Sequence, residues 1–162
     1  MPRAKHPAGT PATLALTSAG IPFTPHAYEH DPSETAFGLE AARKLGVDAS
    51  RVFKTLLADA DGRLVVGIVP VTGQLDLKAL ASAVGAKHAT LADPAVAQRK
   101  TGYVVGGISP IGQKTRLTTV LDASASASDT IFVSGGRRGF DIELAPADLL
   151  RITGGTAVPI GR

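Results

Sequence analysis

The chain has 162 residues, 44% hydrophobic and 19% charged, the size and balance of one folded domain with a proper core rather than two domains or a disordered segment. It contains no cysteine, which excludes disulfides, thiolate catalysis and cysteine-ligated metal, and its five Phe, two Tyr and absent Trp leave little for stacking bases on exposed rings. The net charge of +3 is unevenly spread: Lys87, Arg99, Lys100, Lys114 and Arg116 face Asp93 alone within thirty residues, a cluster that suits a polyanion such as RNA as well as it suits a solvated face.

The N-terminal Met1-Pro-Arg-Ala-Lys-His-Pro7 is basic and no apolar signal segment follows it. The longest apolar stretch, Leu64 to Val71, is far too short to span a bilayer, so a cytoplasmic protein without membrane attachment is expected. Thr10 as N-cap, Pro11 at the first helical position and Gly20 as stop bracket a first helix. Pro22 to Tyr28 reads as extended, and His30-Asp-Pro-Ser33 turns into a second helix ending at Gly46. Arg51 to Ala58 and Leu64 to Val71 read as strands joined across Asp61-Gly62, the best hairpin signal in the sequence. Asp76 caps a third helix, whose Leu77, Leu80, Ala81 and Val84 keep the helical period before Gly85 closes it.

Asp93-Pro94 opens a short fourth helix, and Gly102 onward reads as a strand feeding a glycine-rich loop to Gly112. Three further strands are predicted at Arg116 to Leu121, Thr130 to Ser134 and Phe140 to Leu144. The small-residue run Ala123 to Ser128 is expected to be a mobile loop. Pro146 starts a last helix through Ile152, and Thr156 to Ile160 offers one more strand. These elements predict an α+β fold: a mixed, strongly curved, barrel-like β-sheet surrounded by short helices. Residues 10–162 would form a single domain behind a flexible extension, residues 1–9.

Lys54 carries the only charge in Val52-Phe-Lys-Thr-Leu-Leu57. Alternation puts it on the side of Val52 and Leu56, with Phe53, Thr55 and Leu57 opposite. A buried ammonium is costly without a partner, so Lys54 either reaches water from an edge or sits in a cleft facing an anion. No GxxxxGK[ST] and no GxGxxG between strand and helix occurs, which speaks against nucleotide phosphate cradles. Gly106-Gly107, ahead of Ile-Ser-Pro110, still offers bare backbone N–H groups that could hold a phosphate, a carboxylate or an oxyanion, although a tight turn explains single glycines equally.

None of His6, His26, His30 and His88 has zinc-ligand spacing, and no metal or cofactor is expected. His30 beside Asp31 reads as an acid–base pair or as a turn start. Ser109 and Ser134 are candidate hydroxyl nucleophiles outside any nucleophile elbow. Asp141 and Glu143 share one face of their strand, either solvated or in a site.

Several segments together resemble the YbaK family, the free-standing Cys-tRNA(Pro) deacylases similar to the editing domain of bacterial prolyl-tRNA synthetases. They are Tyr28-Glu-His-Asp-Pro32, Val52-Phe-Lys-Thr-Leu-Leu57, Gly73-Gln-Leu-Asp-Leu-Lys78, Asp93-Pro-Ala-Val-Ala-Gln-Arg99, Thr101-Gly-Tyr-Val-Val-Gly-Gly-Ile-Ser-Pro-Ile-Gly-Gln113 and Val133-Ser-Gly-Gly-Arg-Arg-Gly139. The resemblance runs from about Thr10 to the C-terminus and departs only in the first nine residues and the Ala-Ser run. It implies the editing-domain fold and an aminoacyl-tRNA deacylase. By motif match, Lys54 would be the essential lysine and Thr55 its pocket neighbour. Gly106 would contribute catalytic backbone N–H groups. Tyr28, Phe37, Gly107, Ser109, Ser134 and Asp141 would contact substrate, with Pro110 closing the glycine loop.

The mechanism implied by the family needs no protein nucleophile: the cysteinyl thiol attacks its own ester and leaves as a cyclic thiolactone. Lys54 would then grip the terminal adenosine or its phosphate, with a base or Schiff-base amine as its chemical alternative. The implied partners are the 3′ end of tRNA(Pro) and, transiently, prolyl-tRNA synthetase, but neither DNA nor a membrane. Two wider alternatives are editing of another mischarged product such as Ala-tRNA(Pro), and a non-catalytic tRNA- or synthetase-binding module.

Overall fold

The β2–β3 hairpin organises the molecule. In the computed structural model, which describes residues 9–162, Asp61 (φ 52°) and Gly62 (φ 89°) form the two-residue turn between β2 (Phe53–Ala60) and β3 (Arg63–Pro70). Two consecutive positive φ values match the right-handed twist of the paired strands, which is why Asp-Gly is favoured there. The Asp61 carboxylate also accepts the N–H groups of Lys87 (2.8 Å) and His88 (3.2 Å), tying the hairpin tip to the segment that enters β4 (Ala89–Leu91). The strands therefore run on into the turn, and β2 extends two residues beyond its predicted end. Residues 1–8, the bulk of the expected extension, lie outside the described residues.

The remaining elements, in chain order, are α1 (Pro11–Ser18), β1 (Thr24–Ala27), α2 (Phe37–Leu45), α3 (Leu77–Ala83), α4 (Pro94–Thr101), β5 (Thr118–Asp122), β6 (Ile131–Arg137), β7 (Phe140–Leu144), α5 (Pro146–Thr153) and β8 (Thr156–Val158). The strands make two sheets. One is antiparallel, in the order β1-β7-β6; the other is mixed, in the order β4-β2-β3-β5-β8, with β5 parallel to both β3 and β8. The mixed α+β class is as expected, but the barrel-like single sheet is corrected: the described strands form no closed or strongly curled barrel. Hydrophobic alternation predicts which face of a strand is buried, not which strand lies beside it. Here β3 and β4 occupy both edges of β2, and the parallel bridge between Val52 and Phe132 links the sheets only at its end.

Phe53, Leu57, Val66 and Ile68 of the larger sheet pack against Ile131, Val133, Phe140 and Ile142 of the smaller one, with Leu16 and Leu149 closing the ends of this core. The opposite face of the larger sheet buries Val65, Val69 and Val120 under Leu80 of α3. Burial on both faces explains why β3 reads as an almost unbroken apolar run. A third cluster seats Ala41 and Ala42 of α2 against Val52, Val71 and Phe132.

Two local expectations change. Gly102 (φ 83°) is the left-handed stop of α4 rather than the start of a strand, and the chain from Tyr103 to Leu117 is irregular. The Ala123–Ala127 run forms a 3₁₀ helix instead of an open loop, because Asp122 caps it. That carboxylate accepts the N–H and hydroxyl of Ser124 on one oxygen, and the N–H groups of Ile160 and Gly161, each at 2.8 Å, on the other.

Burial works to raise the Asp122 pKa, and these hydrogen bonds outweigh it, leaving the carboxyl below its ordinary value. Its stabilisation is therefore present above the ordinary carboxylate range and lost as pH falls through the depressed folded value. Asp122→Ala should cost about 2–4 kcal/mol in urea unfolding by orphaning buried donors. It should also accelerate amide exchange at Ile160 and Gly161; unchanged exchange at both would show that the carboxylate does not hold the C-terminal segment.

Candidate active site

A cavity of about 470 Å³ opens where the first turn of α2, strand β2, the glycine-rich loop after α4 and the paired strands β6 and β7 converge. Seven of the ten site residues predicted from sequence line it: Tyr28, Phe37, Lys54, Thr55, Gly106, Ser134 and Asp141. Lys54 is half-buried opposite Val69 in the ladder, and no ion pair engages it among the described residues. It shares its strand face with Val52 and Leu56, as alternation predicts. Thr55 points to the other side of β2, where its Oγ1 is buried and has no hydrogen-bond partner among the described residues. A buried hydroxyl in a cavity wall calls for a partner from outside the chain, an ordered water or a bound ligand.

Asp141 reaches the cavity from the smaller sheet, in register between His26 of β1 and Ser134 of β6. It is 6% exposed, and among the described residues nothing donates a hydrogen bond to its carboxylate. Burial pushes its pKa up to about 7. Glu143, two residues on and on the same strand face, is engaged outside the cavity: it meets His26 Nε2 at 2.9 Å, Arg51 at 3.2 Å and the Thr130 hydroxyl at 2.5 Å. Tyr28 is pushed up to about 12, chiefly by burial, with the Asp141 and Glu40 carboxylates adding to the effect. Ser134 Oγ accepts the Gly136 N–H at 3.2 Å, shaping the irregularity between Ser134 and Arg137.

The mouth of the cavity is a three-part stack. The Arg138 guanidinium lies 4.9 Å over the Phe37 ring, and its Nε–H donates to Val105 O at 2.9 Å. Gly106 (φ 89°) fits beneath: a Cβ there would stand 2.7 Å from Arg138 Nε and 3.0 Å from the Phe37 ring. Glycine is thus required twice over, by conformation and by space. Phe37 opens α2, whose N-cap residue Ala36 supplies no side-chain cap and whose first turn, Phe37 to Leu39, lines the cavity.

Gly107, Ser109 and Pro110 lie outside the cavity wall. The Gly107 N–H is committed to Val104 O at 2.8 Å, and its Cα packs so tightly on the 137–138 backbone that a Cβ would stand 2.6 Å from Arg137 Cα. Fully buried Ser109 accepts the Ile111 N–H and, through its carbonyl, Gln113 Nε2. Pro110 lines a separate groove beside α1 and α5. These three fix the loop's path.

The sequence reading missed Glu40 and the part that His30 plays with it. The Glu40 side chain is fully buried, receiving His30 Nδ1 at 2.6 Å and the Asp31 N–H at 2.8 Å. Its signal was present, as a carboxylate next to Ala41 and Ala42 on the helix's inward side. Asp31 does not serve His30; it accepts from Ser33. Among the described residues no group of three or more His, Cys, Asp or Glu could hold a metal ion, and no helix is long and apolar enough to cross a membrane.

Residues 30–152 match the family model described as the aminoacyl-tRNA editing domain. An Enterococcus faecalis protein provisionally named as a Cys-tRNA(Pro)/Cys-tRNA(Cys) deacylase, EbsC, is 40% identical over 130 residues, 79% of either chain. The multifunctional Ser/Thr-tRNA deacylase ProXp-y of Escherichia coli K12 is 32% identical over 109 residues, 67% of this chain and 65% of that one. A crystal structure provisionally described as a trans-editing enzyme for prolyl tRNA synthetase superposes with a TM-score of 0.80 at 23% identity, covering 94% of this chain and 95% of that one, a likeness of fold. With three-quarters of its length matched by the family model and a lysine, an orphaned hydroxyl and an unpaired carboxylate around one cavity, this chain belongs to the aminoacyl-tRNA editing domain family.

Proposed function

We propose that the protein is a trans-acting aminoacyl-tRNA deacylase whose substrate is Cys-tRNA(Pro). The observation that carries this reading is the cavity wall itself. It offers a cation from one sheet and a carboxylate from the other, with an orphaned hydroxyl between apolar residues, and among the described residues neither the Thr55 nor the Ser134 hydroxyl is hydrogen-bonded to a base. Such a site suits an aminoacyl ester. The Asp141 carboxylate answers the α-ammonium group, Lys54 the terminal adenosine or its phosphate, and the apolar residues around Thr55 the amino-acid side chain. The Gly106 N–H makes no hydrogen bond among the described residues and is available to a developing oxyanion, whereas that of Gly107 is spent.

The attacking atom comes from the substrate. The cysteinyl sulfur forms a bond to its own ester carbonyl, the bond from that carbon to the ribose 3′ oxygen breaks, and the thiol proton ends on the 3′ hydroxyl. The products are uncharged tRNA and a cyclic thiolactone. The protein holds the ester in attack geometry and stabilises the oxyanion. A transient complex with prolyl-tRNA synthetase would supply the choice of tRNA.

A second reading has its own support in the 32% identity to a Ser/Thr-tRNA deacylase and in the free Thr55 hydroxyl. Here a hydroxylated side chain would bond Thr55 Oγ1 and water would attack the ester carbonyl, the bond from that carbon to the ribose 3′ oxygen breaking and the water proton ending on the 3′ hydroxyl. A methyl group more or less in the apolar part of the pocket separates substrates by only about 1–3 kcal/mol, whereas a hydroxyl built to bond the side chain separates them further.

A panel of Cys-, Ala-, Ser- and Thr-charged tRNA decides between them. Fast release from Cys-tRNA with thiolactone as first product supports self-attack; equal rates for Cys and Ser would sink it. Lys54→Ala should lower deacylation by about a hundredfold or more while still binding tRNA. Full activity in that variant would remove Lys54 from the mechanism.

Asp141 gives a pH signature. Its folded pKa, about 7, lies above its ordinary value of 3.8, so the folded state binds the proton more tightly than the unfolded state does. Stability is therefore fullest below pH 4 as far as this group is concerned, and falls as pH rises toward 7, by at most about 1.4 kcal/mol per unit. Asp141→Asn should flatten that decline and be the more stable protein at pH 8, yet bind aminoacyl-tRNA more weakly. A variant whose stability tracks the wild type at every pH would show that Asp141 is not buried as a charge.

A further inference from the structure

The positive charge concentrated between Lys87 and Arg116 is divided by the fold. Lys87 stands at the hairpin end of β4, where its N–H meets the Asp61 carboxylate. Arg99, Lys100 and Lys114 gather instead at the far end of α4, and Arg116 beside them reaches the end of α5, where its Nη2 donates to Thr153 O at 3.4 Å. The Lys114 N–H donates to Thr101 O at 2.9 Å and the Thr115 N–H to Lys100 O at 3.0 Å, laying residues 114–116 along the last turn of the helix. Arg137 and Arg138 continue the line, since Gly107 packs on Arg137 and Arg138 is bonded to Val105 O. All six side chains are exposed, and none is in an ion pair among the described residues. Residues 94–121 contain no Asp or Glu at all.

This band leads to the cavity. Pro94 and Ala97 of α4, and Val105 and Gly106 of the loop, line its wall. At about 1.5 Å of rise per residue, Arg99 and Lys100 stand about 8–9 Å along α4 from Pro94. At about 3.4 Å per nucleotide along one strand, that distance spans about two to three phosphates. Leu39 and Leu91, both half-exposed, line the same opening and offer apolar edges to unpaired bases.

We propose that Arg99, Lys100, Lys114 and Arg116, continued by Arg137 and Arg138, form the track for the phosphate backbone of the tRNA acceptor strand, leading its 3′ end into the cavity. The proposal rests on the aminoacyl-tRNA reading above and adds the surface that holds the nucleic acid outside the cavity. Each exposed cation laid on a phosphate releases a counterion, so affinity carries a salt dependence proportional to the number of contacts, without base specificity.

The test is equilibrium binding of an uncharged RNA hairpin with a duplex acceptor stem and a 3′ CCA end, followed by fluorescence anisotropy from 50 to 200 mM salt. The wild type is compared with Arg99→Ala/Lys100→Ala/Lys114→Ala and with a charge-matched control, Lys44→Ala/Arg63→Ala/Lys78→Ala, whose exposed cations lie on α2, β3 and α3. The band variant should bind about tenfold or more weakly at low salt, and its slope of log K against log salt should shrink by about two to three units. The control should keep the wild-type slope. Equal affinities and slopes for wild type and band variant overturn the proposal, as does an equal loss in the control, which would reduce the effect to net charge. The salt slope of the wild type stands as a separate measure if the triple variant is poorly folded: a slope near zero also overturns it. Binding of uncharged RNA involves no chemistry. A protein that binds the hairpin through this band but cleaves no ester would therefore refute the deacylase reading and leave the band intact, and an active deacylase with unchanged hairpin binding would do the reverse.

Discussion

A buried carboxylate holds the cavity's outer wall in place. Glu40 sits beneath α2 with no exposed side-chain surface, a location that an ionised group tolerates only when its oxygens are filled. Burial pushes its pKa up; the Asp31 N–H and the His30 imidazole more than reverse the push. The consequence reaches well past the pair. Tyr28 lies two residues before His30 and Phe37 three residues before Glu40, so clamping the loop to the helix sets both aromatic groups. Phe37 in turn carries Arg138, and between them they leave room at position 106 for a hydrogen atom only.

Against that clamp, the free state of Asp141 is informative. Asp122 is filled by four donors, Glu40 by two, and Glu143 by an imidazole, a guanidinium and a hydroxyl. Asp141 is buried like the first two and has none of their partners among the described residues. Folding gains nothing from a carboxylate desolvated in this way, and its raised pKa records the cost. The orphaned Thr55 hydroxyl, across the cavity on the other sheet, carries the same mark on a smaller scale. Both groups are more readily understood as parts of a binding surface than as parts of a core.

Local chemistry was legible in the sequence wherever it acts over a few residues. The Asp-Gly turn, the caps at Thr10, Asp76 and Asp93, and the helical period of Leu77, Leu80 and Ala81 all lie where sequence reading puts them. Pairing over long distances was not. Alternation places Asp141 and Glu143 on one strand face and stops there; what separates them is that Arg51 and Thr130, from distant segments, come to one and not the other. The split into two sheets has the same origin, because no feature within β6 announces that β7 and not β2 will be its neighbour. Gly102 misled for a local reason: a left-handed helix stop and the first residue of a strand look alike when apolar residues follow. The cavity residues themselves were found through family resemblance, since a lysine, a tyrosine and an aspartate far apart in the chain have no pattern of their own. The same resemblance also brought in Ser109 and Pro110, which belong to the loop's framework rather than to its surface.

The two sheets meet edge to edge at the Val52–Phe132 bridge, beside the strand that carries Lys54, while Asp141 belongs to the other sheet. The two groups proposed to meet the ends of an aminoacyl ester are thus mounted on separate sheets. An occupant that touches both acts as a crosslink across the seam, and the docking of the sheets becomes part of its binding free energy. Recognition and cohesion of the molecule then draw on the same contacts, and a small slide of one sheet is felt first as a change in the span between ammonium and carboxylate.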